Sequence, residues 1–426
     1  MKKVIISILF IILCLPTFGI LEDKKVSLSN AIETVLSNNP QLKMSDIDIE
    51  IAKNTIKKEN ALKNPSIGTF QSIGKTAKGN AQEVGVDYVI EILKRGKRKN
   101  IAKIQSNIAQ DDKNIQKINL VAEVKAAYFT LLLKKTNLKL MNEQSELSKE
   151  TLDNIINDKS SLKTDIIQAK IAYNRSIMYR NIAKNEFISA QNDFNAIMNI
   201  KTVNYDTLED SLTNDYSKFL TVDPENNSLT FEKIKEFALN NRYDIKKAKK
   251  GIDIANANLK LVKSKLIPDL TLEGGYAYKT KGISDYHAFE SGAYAGARFN
   301  DVPIIYHYQP EIKNAKLEIE KAKLEYEDAE IDAIRNITDA WERYSITREN
   351  LIFYNNELLK NSKELLEESI KSLNDKKINL SSFLVSKKLY LELILGYEEA
   401  LAEYYISFSE LLKEMNINSL DEIETI

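Results

Sequence analysis

Residues 31–70 and residues 233–276 of this 426-residue chain follow one pattern. The first reads AIETVLSNNPQLKMSDIDIEIAKNTIKKENALKNPSIGTF and the second KIKEFALNNRYDIKKAKKGIDIANANLKLVKSKLIPDLTLEGGY. They share a paired asparagine (Asn38-Asn39, Asn240-Asn241), an Ile-Ala step (Ile51-Ala52, Ile254-Ala255) and a closing proline (Pro65, Pro268). An offset of about 200 residues is far too long for a solenoid of short stacked units. It marks a duplicated half-molecule.

Each half predicts the same order of elements. A capped helix begins at Ser27 or Ser29 in one half and at Thr230 in the other, and runs to Pro65 or Pro268, where the missing N–H ends it. Two strand-like runs follow, then a very long helix, a polar turn and a return helix. The first half places these at 66–74, 82–92, 97–157 and 163–199; the second at 268–279, 287–300, 310–373 and 380–415. The chain is thus read as a signal peptide (1–19), a first repeat (20–200), a linker (201–228), a second repeat (229–415) with its turn at 374–380, and a tail (416–426). With 28% charged residues against 13 Gly and 7 Pro, there are few breakers and much helix surface. At the α-helical rise, each long helix would span ~90–95 Å, and the pieces suggest a rod of about 100 Å with strands at one end and turns at the other.

The start MKKVIISILFIILCLPTFGI has a basic beginning, an apolar run from Val4 to Leu15 and the breaker Pro16, with cleavage expected after Gly19. Ile11, Ile12 and Leu13 before Cys14 do not suit a lipoprotein cut. Cys14 is the sole cysteine, so no thiol chemistry is expected of a mature chain. No later run approaches the length of a membrane-spanning helix. The net charge of -1 and the lack of a basic stripe predict no nucleic-acid partner.

The strand-like runs alternate. Val84, Val86, Tyr88, Ile90 and Ile92 oppose Glu83, Asp87 and Glu91; Leu270, Leu272, Tyr276 and Tyr278 oppose Glu273; Phe289, Ala293, Ala295, Ala297 and Phe299 oppose Glu290 and Arg298. Runs of about ten residues with one apolar face suit either a half-buried antiparallel sheet or a transmembrane barrel. Export, and placement of both strand pairs at corresponding points of the duplication, favour the barrel. Four strands cannot close one in a bilayer, so several chains would have to share it.

The segments SLSNAIETVLSNNPQLK, ILKRGKRKNIAKI, VPIIYHYQPEIKNAKLEIEKAKLEYEDA and the closing stretch from Glu364 to Met415 together resemble the TolC-like outer-membrane efflux proteins, over essentially the whole mature chain. The resemblance implies a mainly α fold with a small β part. Coiled-coil hairpins would form a long α-helical barrel, and each chain of a homotrimer would give four strands to a twelve-stranded transmembrane β-barrel. It implies an exit duct in the outer membrane of a Gram-negative-type cell that extends into the periplasm. Its partners would be a periplasmic adaptor, an inner-membrane pump and outer-membrane lipid. No cofactor, metal or catalytic site is expected; His287 and His307 have no second ligand nearby in sequence, and no catalytic motif occurs.

Three residue groups are then of interest. Glu83, Asp87, Glu91, Glu273, Glu290 and Arg298 would face the barrel lumen. Lys94, Arg95, Lys97, Arg98 and Lys99 form a basic collar after the second strand, with Gly96 allowing the bend; they would either reach lipid phosphates or form a solvated turn. Lys159, Lys163, Thr164, Asp165, Lys376, Lys377 and Ser382 mark the two hairpin turns, where the family docks its adaptor and gates. Thr164 or Asp165 would equally serve as an N-cap. Where better-known members carry acidic gate residues, this chain has Ser382 and Val385 with Lys376, Lys377, Lys387 and Lys388 nearby, so these lysines form a positive ring or point to solvent. The alternative function is a periplasmic helical-hairpin adaptor or scaffold, which would need a single hairpin flanked by compact β domains.

Overall fold

The computed structural model describes residues 26–71, 81–157, 162–200, 212, 230–279, 291–354, 358–375 and 377–417. The expected signal peptide lies outside these residues, as do residues 418–426 and all of the linker but Leu212, which is buried. The elements in chain order are α1 (Leu28–Asn38), α2 (Pro40–Glu59), β1 (Ser66–Gln71), β2 (Ala81–Ile90), α3 (Lys94–Asn157), α4 (Lys163–Ile197), α5 (Phe231–Asn241), α6 (Tyr243–Lys263), β3 (Asp269–Lys279), β4 (Gly292–Asn300), α7 (Gln309–Phe353), α8 (Leu359–Asn374) and α9 (Leu380–Glu414). None of the described helices is long and apolar enough to cross a membrane.

The duplication is visible in this order, with three departures from expectation. The opening helix is broken in both halves. In the first half, Asn39 is extended (φ -61, ψ 124) and its side chain accepts from the Gln41 and Leu42 amides, while Pro40 takes the first helical position of α2. In the second half Arg242 stands where the first has Pro40; it is extended (φ -58, ψ 131) and ties the break down by ion pairs to Asp244 and Glu414. In the predicted helix 310–373 the α-helical hydrogen bonding runs to Phe353 and resumes at Leu359, with residues 355–357 outside the described residues. There Tyr354 sits in a widened turn with its hydroxyl over Gly396, where a Cβ would meet that oxygen at 2.5 Å. Finally, α3 begins at Lys94, so the collar is helical; the bend is made by Leu93 (φ 62), and Gly96 lies inside the first turn.

The chain divides into two compact units. One comprises Asn38–Ala122, Tyr216–Asn350 and Tyr404–Ile426 and contains the sheet, whose strands run β1-β2-β3-β4, all antiparallel. The central β2–β3 pair, with Asp87 opposite Glu273 and Val84 opposite Tyr276, joins the two halves of the duplication. In this unit α3 is held to both copies of the opening helix: Lys113 pairs with Asp46 of α2 (2.5 Å), and Lys247 of α6 pairs with Asp112 (2.7 Å). Trp341, Phe231, Tyr344, Tyr404 and Phe408 stack between α5, α7 and α9. Asn416 donates to the Asn241 carbonyl (3.0 Å) and Ile417 is buried, so the expected tail starts out docked.

The other unit comprises the chain up to Ser37, Glu123–Asp215 and Leu351–Glu403. Its core includes Tyr128, Phe129 and Phe194, all within 1% of complete burial, and the Tyr128 hydroxyl donates to the Val26 carbonyl (3.1 Å). Around the hairpin turns, Leu152, Ala169, Leu380 and Phe383 form a second core.

Candidate functional site

The alternation read from the sequence becomes two distinct sheet faces. Opposite partners in register put Val84, Tyr276 and Ala293 on one face, followed by Val86, Gly274 and Ala295, then Tyr88, Leu272 and Ala297, then Ile90, Leu270 and Phe299. Val84 is 47%, Val86 44% and Phe299 61% exposed, which is costly in water for a face this uniformly apolar. The other face carries Glu83, Asp87, Glu273 and Arg298; the Arg298 guanidinium reaches Asp87 (3.1 Å) and Glu273 (3.3 Å). Small residues thin this face. A Cβ on Gly275 would come within 2.7 Å of the Gly85 Cα, so strands β2 and β3 approach where only glycine fits, and the Tyr294 hydroxyl covers the notch. Among the described residues, β1 and β4 each pair on one side only. Glu290 lies outside the described residues.

Glu91 does not belong with the face acids. Strand β2 ends at Ile90, and Glu91 turns into the collar, where Arg98 Nη1 donates to both carboxylate oxygens (2.5 and 2.6 Å) and Lys63 lies 3.2 Å away. Burial pushes the Glu91 carboxyl up, but these two cations outweigh it and hold it below its ordinary value. Arg98 also reaches Glu59 (3.0 Å), Arg95 donates to Asn60 (3.4 Å), and Lys94 pairs with Asp269 (2.8 Å). Asp269 further accepts from the Ile92 amide (3.3 Å). Lys94, Arg95 and Arg98 clamp the end of α2, the end of β2 and the start of β3 to one helix. Lys97 and Lys99 alone make no ion pair among the described residues. The partners were not legible in sequence, since Asp269 lies 177 residues beyond Ile92.

At the first hairpin turn, Lys159 lies outside the described residues. Lys163 and Thr164 are exposed and Asp165 is half-buried. The N-cap is Leu162, which makes no side-chain cap hydrogen bond, so neither Thr164 nor Asp165 is the cap; Asp165 instead sits in the first turn, where its charge favours the helix dipole. At the second turn Lys376 lies outside the described residues, Lys377 pairs with Asp375 (2.9 Å), and the Asn379 side chain accepts from the Ser382 amide (2.8 Å). Ser382 and Lys388 are exposed, and Lys388 pairs with Glu392 (3.3 Å). Lys387 breaks the expectation of solvated lysines: it is only 3% exposed, and burial draws its pKa down to about 8. Among the described residues, no group of three or more His, Cys, Asp or Glu is placed to hold a metal ion.

Residues 31–154 match the family described as outer membrane efflux protein. The fold is that of outer-membrane channels. The open state of the MtrE outer membrane channel of Neisseria gonorrhoeae aligns with a TM-score of 0.75 at 15% identity, over 92% of this chain and 89% of that one. The CmeC outer membrane channel of Campylobacter jejuni gives 0.72 at 16% identity, over 93% and 88%. The outer membrane protein VceC of Vibrio cholerae gives 0.71 at 13% identity, over 91% and 96%. The sequence matches no curated protein.

Proposed function

We propose that this chain, with the fold of the TolC-like outer-membrane channels and a family match over Ala31–Asn154, is an outer-membrane exit duct of a tripartite efflux or type I secretion system. The observation that carries this reading is the sheet. It has one continuous apolar face, one face of small and charged residues, strands of 6 to 11 residues, and a single pairing partner for each edge strand. Such a sheet is satisfied if copies of the chain join β4 to β1 around a threefold axis, giving twelve strands with lipid outside and water within. In that barrel Val84, Val86, Leu272 and Phe299 meet hydrocarbon, and Glu83, Asp87, Glu273 and Arg298 line the lumen.

Passage through the duct is passive, with energy supplied by an inner-membrane pump. A periplasmic adaptor docks at the hairpin turns, where Lys159, Lys163, Thr164, Asp165, Lys376, Lys377 and Ser382 are the contact and gating residues. Lys97 and Lys99 are left by the collar for phosphates at the membrane edge. The adaptor reading has no feature in its favour, because two hairpins and one four-stranded sheet are present rather than a single hairpin with compact β domains.

The test is extraction and reconstitution. The protein is expected in the outer-membrane fraction as a detergent-stable trimer that forms pores in planar bilayers. Recovery as a soluble periplasmic monomer would end this reading. In the trimer, Arg298→Glu is expected to change the ion selectivity of the pore, because three copies alter the lumen charge together.

A further inference from the structure

Beside the hairpin turns, α3, α4 and α9 line an open groove of about 720 Å³, within the range of sites for drug-sized molecules. Its walls follow from local register. Ser381 Oγ donates to Gln168 (3.2 Å), so α4 and α9 ascend side by side from the turns, while Lys387 reaches Ser148 on the antiparallel α3 (3.5 Å). From α3 the groove receives Asn137, Met141, Gln144 and Ser148, spaced four, three and four apart on one helical stripe. That stripe is ~16 Å long. The lining is mostly aliphatic, with Ile171, Ile182, Leu384 and Leu391 among the walls.

The charges on these walls do not balance. Two acids line the groove, and both are committed: Glu186 to Lys134 (2.8 Å) and Glu392 to Lys388 (3.3 Å). Two other lining cations have no acid among the described residues. Arg175 donates only to the Tyr179 hydroxyl (3.0 Å) and stacks on that ring. Lys387 is almost wholly buried, and its one hydrogen bond is the long contact to Ser148. Glu398 lies eleven residues further along α9, ~16 Å away, too far to neutralise it. A buried ammonium left this way is costly unless something else satisfies it.

We infer that this groove binds an elongated amphipathic organic anion, its acid group held by Lys387 with Ser148 and its apolar body laid between the three helices. The length of the stripe and the aliphatic walls select a chain-like body; the buried Lys387, with the exposed Arg175 lining the same groove, selects an acid over a neutral or cationic headgroup. A ligand seated there fastens α3, α4 and α9 together next to the turns. The inference does not depend on the duct reading.

The experiment uses the full chain in lipid nanodiscs and a long-chain carboxylate bearing a photoreactive diazirine, with its methyl ester and its trimethylammonium analogue as comparators. The carboxylate is expected to label the groove segments of α3, α4 and α9, and the comparators are not. Lys387→Met is expected to lower that labelling roughly tenfold or more, the loss of one charge-assisted hydrogen bond in a buried site, while Lys387→Arg retains it. Labelling is also expected to fall as pH rises through about 8, where Lys387 loses its proton. Equal labelling by the three probes, equal labelling of the Lys387→Met protein, or labelling only after copies of the chain are dissociated would overturn the inference. The last result would mean that a second copy fills the groove.

Discussion

The two strand-to-helix junctions occupy equivalent places in the duplication and solve the same problem with opposite chemistry. At the first, between β2 and α3, Lys94, Arg98 and Lys63 pair with Asp269, Glu59 and Glu91, and the turn is closed by Leu93 with φ 62. At the second, between β4 and α7, Asp301 and Tyr308 take the positive φ values, and the segment between them is apolar and outward: Ile304 is 76% and Ile305 96% exposed. The first junction is thus complete within one chain. The second offers hydrocarbon to something outside it, which in the proposed trimer is the inner leaflet at the barrel rim. Duplication has kept the place of the junction and let its turn and its chemistry diverge.

Breaking the first junction should cost the most. Asp269 is buried and serves both Lys94 and the Ile92 amide. Asp269→Ala is expected to destabilise the fold by about 3 kcal/mol, because it strands a part-buried ammonium and an amide at once. Chemical denaturation of the purified protein checks this. Adding Lys94→Met should return part of the loss; if the double variant is as unstable as the sum of the two single ones, the pair is not coupled.

The second junction predicts a different readout. Ile304→Ser together with Ile305→Ser should leave the unfolding of a single chain nearly unchanged, since these side chains touch little within it. The same change should weaken membrane insertion or trimer yield by about 2 kcal/mol, the order expected for apolar area that is buried only on assembly. Floating the variant with vesicles and measuring trimer recovery separates the two effects. A loss of monomer stability with normal assembly would reverse the comparison.

Acid should also tell the junctions apart. Arg98 and Lys63 hold the Glu91 carboxyl below its ordinary value, so its contribution is present above the unfolded-state pKa and is lost as pH falls through the lowered folded-state value. Stability of the wild type should therefore drop below about pH 4, and Glu91→Gln should be less stable at neutral pH but flatter across that acid range. An unchanged acid slope in Glu91→Gln would remove Glu91 from the clamp.

Much of this is legible in the sequence, because it is local. Alternation from Val84 to Ile90 specifies a strand face, and the stretch from Gly96 to Asn157 lacks Pro and any further Gly, so it is free to stay helical. The duplication aligned both halves. What escaped was set by partners far off in sequence. Nothing near Arg242 announces a helix break, since its anchor Glu414 lies 172 residues away. Gly96 suggested a bend that Leu93 makes instead, since the clamp on Lys94 and Arg98 draws the helix start ahead of the glycine. Lys387 looked like its neighbours Lys376, Lys377 and Lys388; only the convergence of three helices buries it.

The smallest effect completes the contrast. At the second junction the Tyr306 hydroxyl donates to Glu311 (2.6 Å), and Lys265 lies over the Tyr308 ring (5.8 Å), which looks like a counterpart of the clamp around Arg98. Tyr306 is half exposed and Glu311 is partly open to water, so solvent competes for each group and screens the charge. Tyr306→Phe should therefore leave the unfolding midpoint unmoved at any pH and keep the aromatic surface that the rim presents. A measurable loss of stability in that variant would mean the second junction is held by polar contacts after all, and that the two junctions differ in degree rather than in kind.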